Sequence, residues 1–456
     1  MKPVFKKFLT ALAAVTFIGT GAFLAIQFAN GYRPTKGGII QGTGLLAANS
    51  FPPGAQVYIN GKLTTATDDT QNLSPGEYDV EIQKDGYITW KKHLVIEKEL
   101  VTQTNAVLFP SVVSLTPITQ TGVDNITPSP DGTKIAYLVT NSSSPWENGL
   151  YVYHLNGGAL TFRGRASQIA RNISGLPLSN SSILWSPDST QILLNFSTGN
   201  NLLLDASRFN DLTSFKDVTV SLPITFSNWE KELFLQENEK LALLPEEMQY
   251  IATSSAKNIY YSPDEKRLMY TATQEVSIPK DLIPPLPATN SQPEERDLVI
   301  GGIYVYDIKE DKNFRIDTEV RPAELEGVFQ DKTRLVDQLE EISTLLNPGQ
   351  NSSPSTHTKL QKDKTIEETI QAFKLHYSPL TLNGYQWFTT SSHLIINKES
   401  AIEVVEYDGT NRAALYSGPR DTSFVYPWPD GSKLLISTNL GANDDVPLNL
   451  YAITIK

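Results

Sequence analysis

The 456-residue chain contains no cysteine. That absence excludes disulfides, thiolate nucleophiles, cysteine-ligated zinc and a lipoprotein anchor, which needs a cysteine to acylate. Histidine is scarce as well. His93, His154, His357, His376 and His393 show no His-Glu-x-x-His or other metal-ligand spacing, and three of the five fall in or beside predicted strands. There is no Gly-x-Ser-x-Gly elbow, and no helix follows Gly42-Thr43-Gly44, which therefore reads as a strand glycine pair rather than a nucleotide loop. Asn443-Asp444-Asp445 lacks the EF-hand pattern and reads as a solvated turn. Positive charge is in deficit, with 38 Lys and Arg against 50 Asp and Glu and a net charge of -12. The acids are spread along the chain, so no basic face exists to neutralise phosphates and no nucleic-acid partner is expected. No catalytic residue, metal ligand or cofactor site emerges, and the expectation is that the protein is not an enzyme.

Charge is missing altogether between Lys7 and Arg33. Residues 8–30 are mostly Ala, Leu, Phe, Ile, Val and Gly, and at about 1.5 Å per residue a helix over them reaches roughly 33 Å, enough to cross a hydrocarbon core. A cleaved signal peptide would carry an apolar region of only about 7–15 residues and a small-x-small site, which is not evident before Arg33. A buried core helix would show charges at its edges and a polar stripe. A single transmembrane helix over 8–30 is therefore expected. Lys2, Lys6 and Lys7 precede it, against Arg33 and Lys36 after it, which places residues 1–7 in the cytoplasm and the bulk of the chain outside the cell membrane.

Beyond Arg33 the chain is rich in strand and turn signals. In residues 38–110, Pro52-Pro53-Gly54-Ala55 leads into Gln56-Val57-Tyr58-Ile59 and then Asn60-Gly61, a pair suited to a type I′ hairpin turn. Leu73-Ser74-Pro75-Gly76 feeds Glu77 to Ile82, where Tyr78, Val80 and Ile82 share one face of a strand and the acids take the other. Lys84-Asp85-Gly86-Tyr87 forms the next turn. With Val57-Tyr58-Ile59-Asn60-Gly61-Lys62, these residues resemble the PEGA domain, a β-sandwich found mostly in bacterial and archaeal surface proteins. The eponymous Pro-Glu-Gly-Ala reads Pro-Pro-Gly-Ala here, a change that leaves the turn intact. The resemblance implies a binding or spacer module without catalytic residues.

Residues 111–456 repeat a strand-turn-strand unit, and periods near 40 residues indicate propellers. The turns read Ser129-Pro130-Asp131-Gly132, Ser186-Pro187-Asp188-Ser189, Ser262-Pro263-Asp264-Glu265 and Trp428-Pro429-Asp430-Gly431, each followed by an apolar strand. A degenerate copy runs from Gln386-Trp387-Phe388 through a turn at Thr389 to Ser392 and into His393-Leu394-Ile395-Ile396. Proline presets φ, aspartate bonds the backbone ahead and glycine accepts positive φ, so each motif closes a hairpin. The series resembles the WD40-like repeats of TolB-type propellers, which implies a ring closed by strands from both ends of the domain. The last unit supplies three strands, and Val112-Val113-Ser114-Leu115 is expected to provide the fourth.

Spacing between the turns swells where insertions are expected. Ser227-Asn228-Trp229-Glu230 reads as a capping box opening an acidic helix to Leu244, with a second helix starting at Pro245-Glu246-Glu247. Leu325, Val328, Leu335, Leu339, Ile342 and Leu346 recur at helical spacing, and Thr365-Ile366-Glu367-Glu368 is another capping box. An extra blade within 317–380 is the competing reading. Ile283-Pro284-Pro285-Leu286-Pro287 begins a proline-rich extension of polyproline character and is the candidate partner-binding segment, with a merely solvated loop as the alternative. The expected architecture is thus mainly β: a transmembrane helix, a small PEGA-like sandwich and a propeller of five to six blades with helical insertions. The expected role is that of a membrane-anchored extracytoplasmic binding or scaffold protein whose propeller loops recognise an envelope protein or a surface glycan. A single-pass sensor and a propeller-based hydrolase are the alternatives.

Overall fold

The computed structural model describes residues 3–29, 32–34, 40–156, 166–173, 175–286, 290–318, 365–377, 384–441 and 446–455. The expected helix over Leu325–Leu346 lies outside these residues. The chain divides into two units, the first comprising Met1–Val112 with Pro284–Pro293 and the second Val113–Ile283 with Glu294–Ile455.

The first unit begins with helix α1 (Pro3–Ala29). Its side chains are described from Ala11 to Phe23 and at Ala25 and Ile26, all exposed, and among the described residues no helix is long and apolar enough to cross a membrane. A short ladder joins β1 (Tyr32–Pro34) to β2 (Ile40–Gly42). Then come β3 (Gly44–Ala48), β4 (Ser50–Phe51), β5 (Gln56–Ile59), β6 (Lys62–Ala66), β7 (Asp69–Leu73), β8 (Gly76–Gln83), β9 (Trp90–Ile96), β10 (Val101–Gln103) and β11 (Ala106–Val107). Sheets of order β6-β5-β8-β9 and β10-β3-β7 share one core that includes Leu46, Val57, Val80, Ile82, Trp90 and Leu94. Val80 and Ile82 are buried and Tyr78 half-buried on one face of β8, as the alternation predicts. Asn60 and Gly61 take φ of 49° and 73°, the left-handed pair that a type I′ turn requires.

The second unit contains five antiparallel sheets among the described residues. Blade 1 is β13 (Asp124–Pro128), β14 (Lys134–Val139), β15 (Gly149–His154) and β16 (Ala166–Arg171); blade 2 is β17 (Ser181–Trp185), β18 (Gln191–Phe196) and β19 (Asn201–Asp205). Blade 3 is β20 (Ala256–Tyr261), β21 (Arg267–Ala272), β22 (Gly302–Asp307) and β23 (Lys312–Thr318); blade 4 is β24 (Tyr385–Trp387), β25 (His393–Asn397), β26 (Ile402–Glu406) and β27 (Ala413–Tyr416). Blade 5 is β28 (Val425–Pro427), β29 (Lys433–Thr438) and β30 (Asn449–Thr454), completed by β12 (Ser114–Pro117) from the start of the unit. The closing strand therefore sits two residues later than expected. Ser114 pairs with Thr454 and Pro117 with Tyr451, while Val112 is left 84% exposed.

The turn motif recurs with the same bonds. The Ser129, Ser186 and Ser262 hydroxyls donate to the aspartate two residues on at 2.6, 2.5 and 2.7 Å and accept the backbone N–H of Lys134, Gln191 and Arg267. Burial alone would raise Asp131, Asp188 and Asp264, but the serine hydroxyls and backbone N–H groups hold all three below the usual carboxylate value. That stabilisation is present above the unfolded carboxylate value and is lost as pH falls through the lower folded one. The degenerate copy is a true blade turn: Ser391 N–H donates to Phe388 O at 2.9 Å with Ser391 at φ 60°.

Neighbouring blades interlock by one repeated device. Trp185 Nε1 donates to Thr127 O and the Ser189 hydroxyl accepts from Asp131 N, both at 3.0 Å. Between blades 3 and 4, Trp387 Nε1 donates to Tyr260 O at 2.9 Å and Ser391 Oγ accepts from Asp264 N at 3.0 Å. Because strand side chains alternate, each sheet offers one face to each neighbour. Ile183, Trp185, Ile192 and Leu194 pack on blade 1, whereas Leu184 and Leu193 point to the opposite face.

Helices cover that face. The opposite face of blade 2 meets Leu222, Phe226 and Trp229 of α2 (Leu222–Leu241) and Ile370 and Phe373 of α4 (Ile366–Tyr377). Met248, Ile251 and Ala252 of α3 (Glu246–Ser254) pack on blade 3. Helix α2 starts before the expected capping box, so Ser227 lies inside it. Pro223 falls in the first turn, where a missing N–H costs no helix bond. The second capping box is present: Thr365 N–H donates to Glu368 Oε2 at 2.9 Å, and Glu368 N–H donates to Thr365 Oγ1 at 3.2 Å.

The joint between β12 and β30 includes a polar clip that can be tested. Leu450 N–H donates to Thr119 Oγ1 at 2.9 Å, and that hydroxyl donates to Asn449 Oδ1 at 3.1 Å. Thr119→Val keeps the shape but leaves the buried Leu450 N–H unpaired, and should cost about 1–3 kcal/mol. Urea unfolding of the full chain should show a lower midpoint with an unchanged slope; an unchanged midpoint would mean that closure does not depend on the clip.

Candidate functional site

The connection between the second and third strands of a blade is short in blade 2 (Ser197–Asn200) and blade 4 (Lys398–Ala401) but runs from Thr273 to Gly301 in blade 3. Its two legs are paired. Ile278 N–H donates to Arg296 O at 2.9 Å and Leu298 N–H to Val276 O at 2.8 Å, with a bridge between Ser277 and Asp297. Ile278 and Leu298 are buried in the blade 3 core with Tyr270 and Tyr304, which roots the arm in the sheet.

Polar bonds lock the root further. The Arg296 side chain, only 11% exposed, pairs through Nε with Glu294 at 2.9 Å and through Nη1 with Asp311 at 3.3 Å. It also donates to the backbone oxygens of Pro279 and Asp311. Burial opposes the guanidinium charge, but the hydrogen bond and charge of Asp311, with Glu294, outweigh it and raise the Arg296 pKa. Asp311 also accepts from Leu282 N–H and from Tyr306 OH, both at 2.9 Å. Burial and then the Asp311 carboxylate push the Tyr306 phenol far above its ordinary value. Behind them Asn313 donates to Glu295 O at 2.7 Å and accepts from the buried Tyr270 OH at 2.9 Å.

The candidate segment divides along this arm. Ile283 is half-buried and belongs to the second unit, while Pro284, Pro285 and Leu286 are exposed and group with the first. Pro287 lies outside the described residues. Further on, Gln292 is turned inward, only 9% exposed. Its N–H donates to Asn290 Oδ1 at 3.0 Å, and its Nε2 donates to His93 O on β9 at 2.6 Å. Nothing in the sequence distinguished Ser291, Gln292 or the Arg296–Asp311 pair, because the partners that fix them are brought together by the fold.

Among the described residues His93, His154 and His393 lie on three separate sheets. His93 is exposed on β9 with Nδ1 2.9 Å from Asp79 and Nε2 3.4 Å from Glu77. His154 ends β15, and His393 is buried on β25. His357 lies outside the described residues. Among the described residues no group of three or more His, Asp or Glu is placed to hold a metal ion. Gly42 and Gly44 belong to strands, and Asn443-Asp444-Asp445 lies outside the described residues.

Residues 43–111 match the family model for the PEGA domain. No curated protein matches the chain. Solved structures with a similar arrangement include TolB from Acinetobacter baumannii, at 12% identity and a TM-score of 0.19 over 83% of this chain and 60% of that one. A protein described as TolB from Agrobacterium tumefaciens aligns at 12% identity and a TM-score of 0.20, covering 73% and 79% of the two chains. An oligogalacturonate lyase from Vibrio parahaemolyticus aligns at 7% identity and a TM-score of 0.23, covering 83% and 86%. At such scores the likeness carries no argument for this chain; what the described residues show is five antiparallel sheets, the last completed by β12.

The carboxylates around His93 yield a prediction. Hydrogen bonding to Asp79 comes first among the causes that raise its pKa, whereas burial and then Lys134 lower that of His154. Titration followed by NMR should place His93 above and His154 below the ordinary histidine value, and Asp79→Asn should move only His93 back. The His93 pairing supports the fold fully below the unfolded histidine value and fades as pH rises through the higher folded one. Equal titration of the two rings would remove the Asp79 contact.

Proposed function

We propose that this protein is a membrane-anchored binding or scaffold protein of the cell envelope, recognising a protein or glycan partner through the connections of its propeller. The observation that carries this reading is the arm of blade 3. Exposed Pro284, Pro285 and Leu286 extend from a root locked by Arg296, Asp311 and the buried Ile278 and Leu298. A polyproline-like segment has little conformational entropy left to lose, and a rigid base lowers the ordering cost of binding further. The PEGA match over 43–111 supports an extracytoplasmic setting and a binding or spacer role for the first unit.

The anchor in this proposal is the uncharged stretch over 8–30, most of which lies in α1. Its hydroxyls bond back along the helix, Thr16 Oγ1 to Leu12 O at 2.9 Å and Thr20 Oγ1 to Thr16 O at 2.8 Å. A helix that satisfies its polar side chains internally suits an apolar surrounding. Together with the uncharged stretch between Lys7 and Arg33, this favours a single crossing with the N-terminus inside.

Two measurements test the proposal separately. Protease added to intact spheroplasts should digest the chain beyond Arg33, and protection until lysis would overturn the topology. Replacing Pro284, Pro285 and Leu286 by Gly, Gly and Ser removes only exposed side chains, so the melting temperature should move by less than about 3 °C. Partner recovery from envelope extract should fall at least tenfold. Full recovery with an unchanged fold would move recognition away from the arm.

A further inference from the structure

Of the six tryptophans, five are packed away at no more than 6% exposure, while Trp146 is 71% exposed. It sits between β14 and β15 of blade 1, in the 3₁₀ turn Pro145–Glu147. The backbone beneath it is tied down. Gln168 Nε2 donates to Trp146 O at 3.0 Å, Tyr151 OH to Glu147 O at 2.8 Å, and Ser142 N–H to Asn148 Oδ1 at 2.9 Å. Asn172 N–H donates to Asn148 O at 3.1 Å, which fastens the turn to the residue after β16. Gly149 makes room for the Gln168 side chain, because a Cβ there would lie 2.7 Å from Gln168 Nε2. A large ring on a fixed backbone, bare of cover, offers wide contact area and has little entropy left to lose on binding.

Gln168 connects this turn to a second exposed ring. Its Oε1 accepts from Arg171 Nη2 at 3.4 Å, and the exposed Arg171 guanidinium lies 5.9 Å from the centre of the Phe209 ring. Phe209 is itself 54% exposed, and its neighbour Asn210 holds it in place. Asn210 N–H donates to Ile169 O at 2.6 Å, and its side chain donates to Ile169 O at 3.0 Å and to Asp205 O at 2.9 Å. The same residue bridges to Ala170, so the outer edge of β16 is occupied there. A ligand arriving at this surface meets side chains rather than an open strand.

Two exposed aromatic rings are thus joined by a planar amide and a guanidinium on rigid parts of the second unit. A sugar ring has the matching make-up. Its faces carry C–H groups that pack on aromatic rings, and its rim carries hydroxyls that bond to planar polar side chains. The guanidinium adds a choice among sugars, since its fork of donors matches a carboxylate.

We propose that Trp146, Gln168, Arg171 and Phe209 form a binding surface for an acidic saccharide, a chain containing sugar acids. A sugar face packs on Trp146, a carboxylate pairs with Arg171, and Phe209 supplies a second apolar contact. Gln168 is a positioning residue that holds the Trp146 turn and Arg171 by the two ends of one amide. The site lies on a different blade from the arm of blade 3 and commits to one ligand class, so its failure would leave recognition through that arm standing.

The test uses the full chain, with hexasaccharides of hyaluronan and of alginate as acidic probes and chitohexaose as the neutral one. Acrylamide quenching of tryptophan fluorescence reports on Trp146, and Trp146→Phe should remove most of the quenchable emission. At least one acidic probe should protect Trp146 from acrylamide and, by calorimetry, bind at least about tenfold more tightly than chitohexaose. Arg171→Gln should weaken that probe about tenfold and leave chitohexaose unchanged. Trp146→Ala should weaken acidic-probe binding at least about tenfold, and Trp146→Phe should retain part of it. These side chains are exposed, so the melting temperature should move by less than about 3 °C. Failure of both acidic probes to bind, or binding that Trp146→Ala and Arg171→Gln leave unchanged, would overturn the proposal. Equal affinity for chitohexaose would overturn the choice of an acidic ligand. Protection of Trp146 by a polyproline peptide and by neither acidic probe would make this a peptide surface and overturn the saccharide reading.

Discussion

The second unit depends on the pairing of β12 with β30, which brings Ser114 against Thr454. A ring of sheets has no edge problem only if its first and last strands share a blade. Without that ladder β30 would be an open edge, and the packing of Trp428, Leu435 and Leu450 against Ile135, Tyr137 and Tyr153 would lose its support. The Thr119 and Asn449 side chains add direction to the closure. Their bonds fix which residues of the two segments face one another, and a slip by one residue would turn every side chain of β12 to the wrong face.

With closure in place, the irregular parts become intelligible. Four of the five sheets have four strands, and the Trp185 and Trp387 indoles span successive blades in the same way. The regularity lapses where blade 2 faces α2 and α4 while blade 3 faces α3. There the Phe226, Trp229 and Phe373 rings, 5.6–5.8 Å apart, cover the apolar face that a neighbouring strand would otherwise cover. Aromatic rings bury large areas per residue, so a few helical positions can close a face that took a whole sheet elsewhere. The arm between Thr273 and Gly301 grows from blade 3, whose core it enlarges with Ile278 and Leu298. Function and stability thus share residues at its root.

Much of the fold was legible in the sequence, and much of the candidate site was not. The Ser-Pro-Asp turns and the Thr365–Glu368 capping box close through bonds between residues at most five apart, and the Asn60-Gly61 turn rests on a local pair of positive φ angles, so composition and order suffice to read them. The capping box expected at Ser227 misled because the same local signal occurs inside a helix already begun at Leu222. The exposed prolines of 284–286 announced a rigid segment. They carried no information about Gln292, which bonds a carbonyl 199 residues away, or about Arg296, whose partner Asp311 lies on a different turn.

The sequence by itself determined the local units of this protein: the uncharged N-terminal stretch, the sandwich hairpins, the repeated blade turns and the helices after Pro245 and Thr365. The bonds that close each turn and cap lie within a few residues, and the longer bonds of Asn60, Asp131 and Asp264 are added by the fold. The tertiary structure alone decided which strand completes blade 5, what covers the free face of blade 2, and where Ser291 and Gln292 find their partners. Each of those outcomes is a competition among many edges and apolar faces of similar local chemistry. It is resolved by which pairing leaves the fewest backbone groups and apolar side chains uncovered across the whole chain.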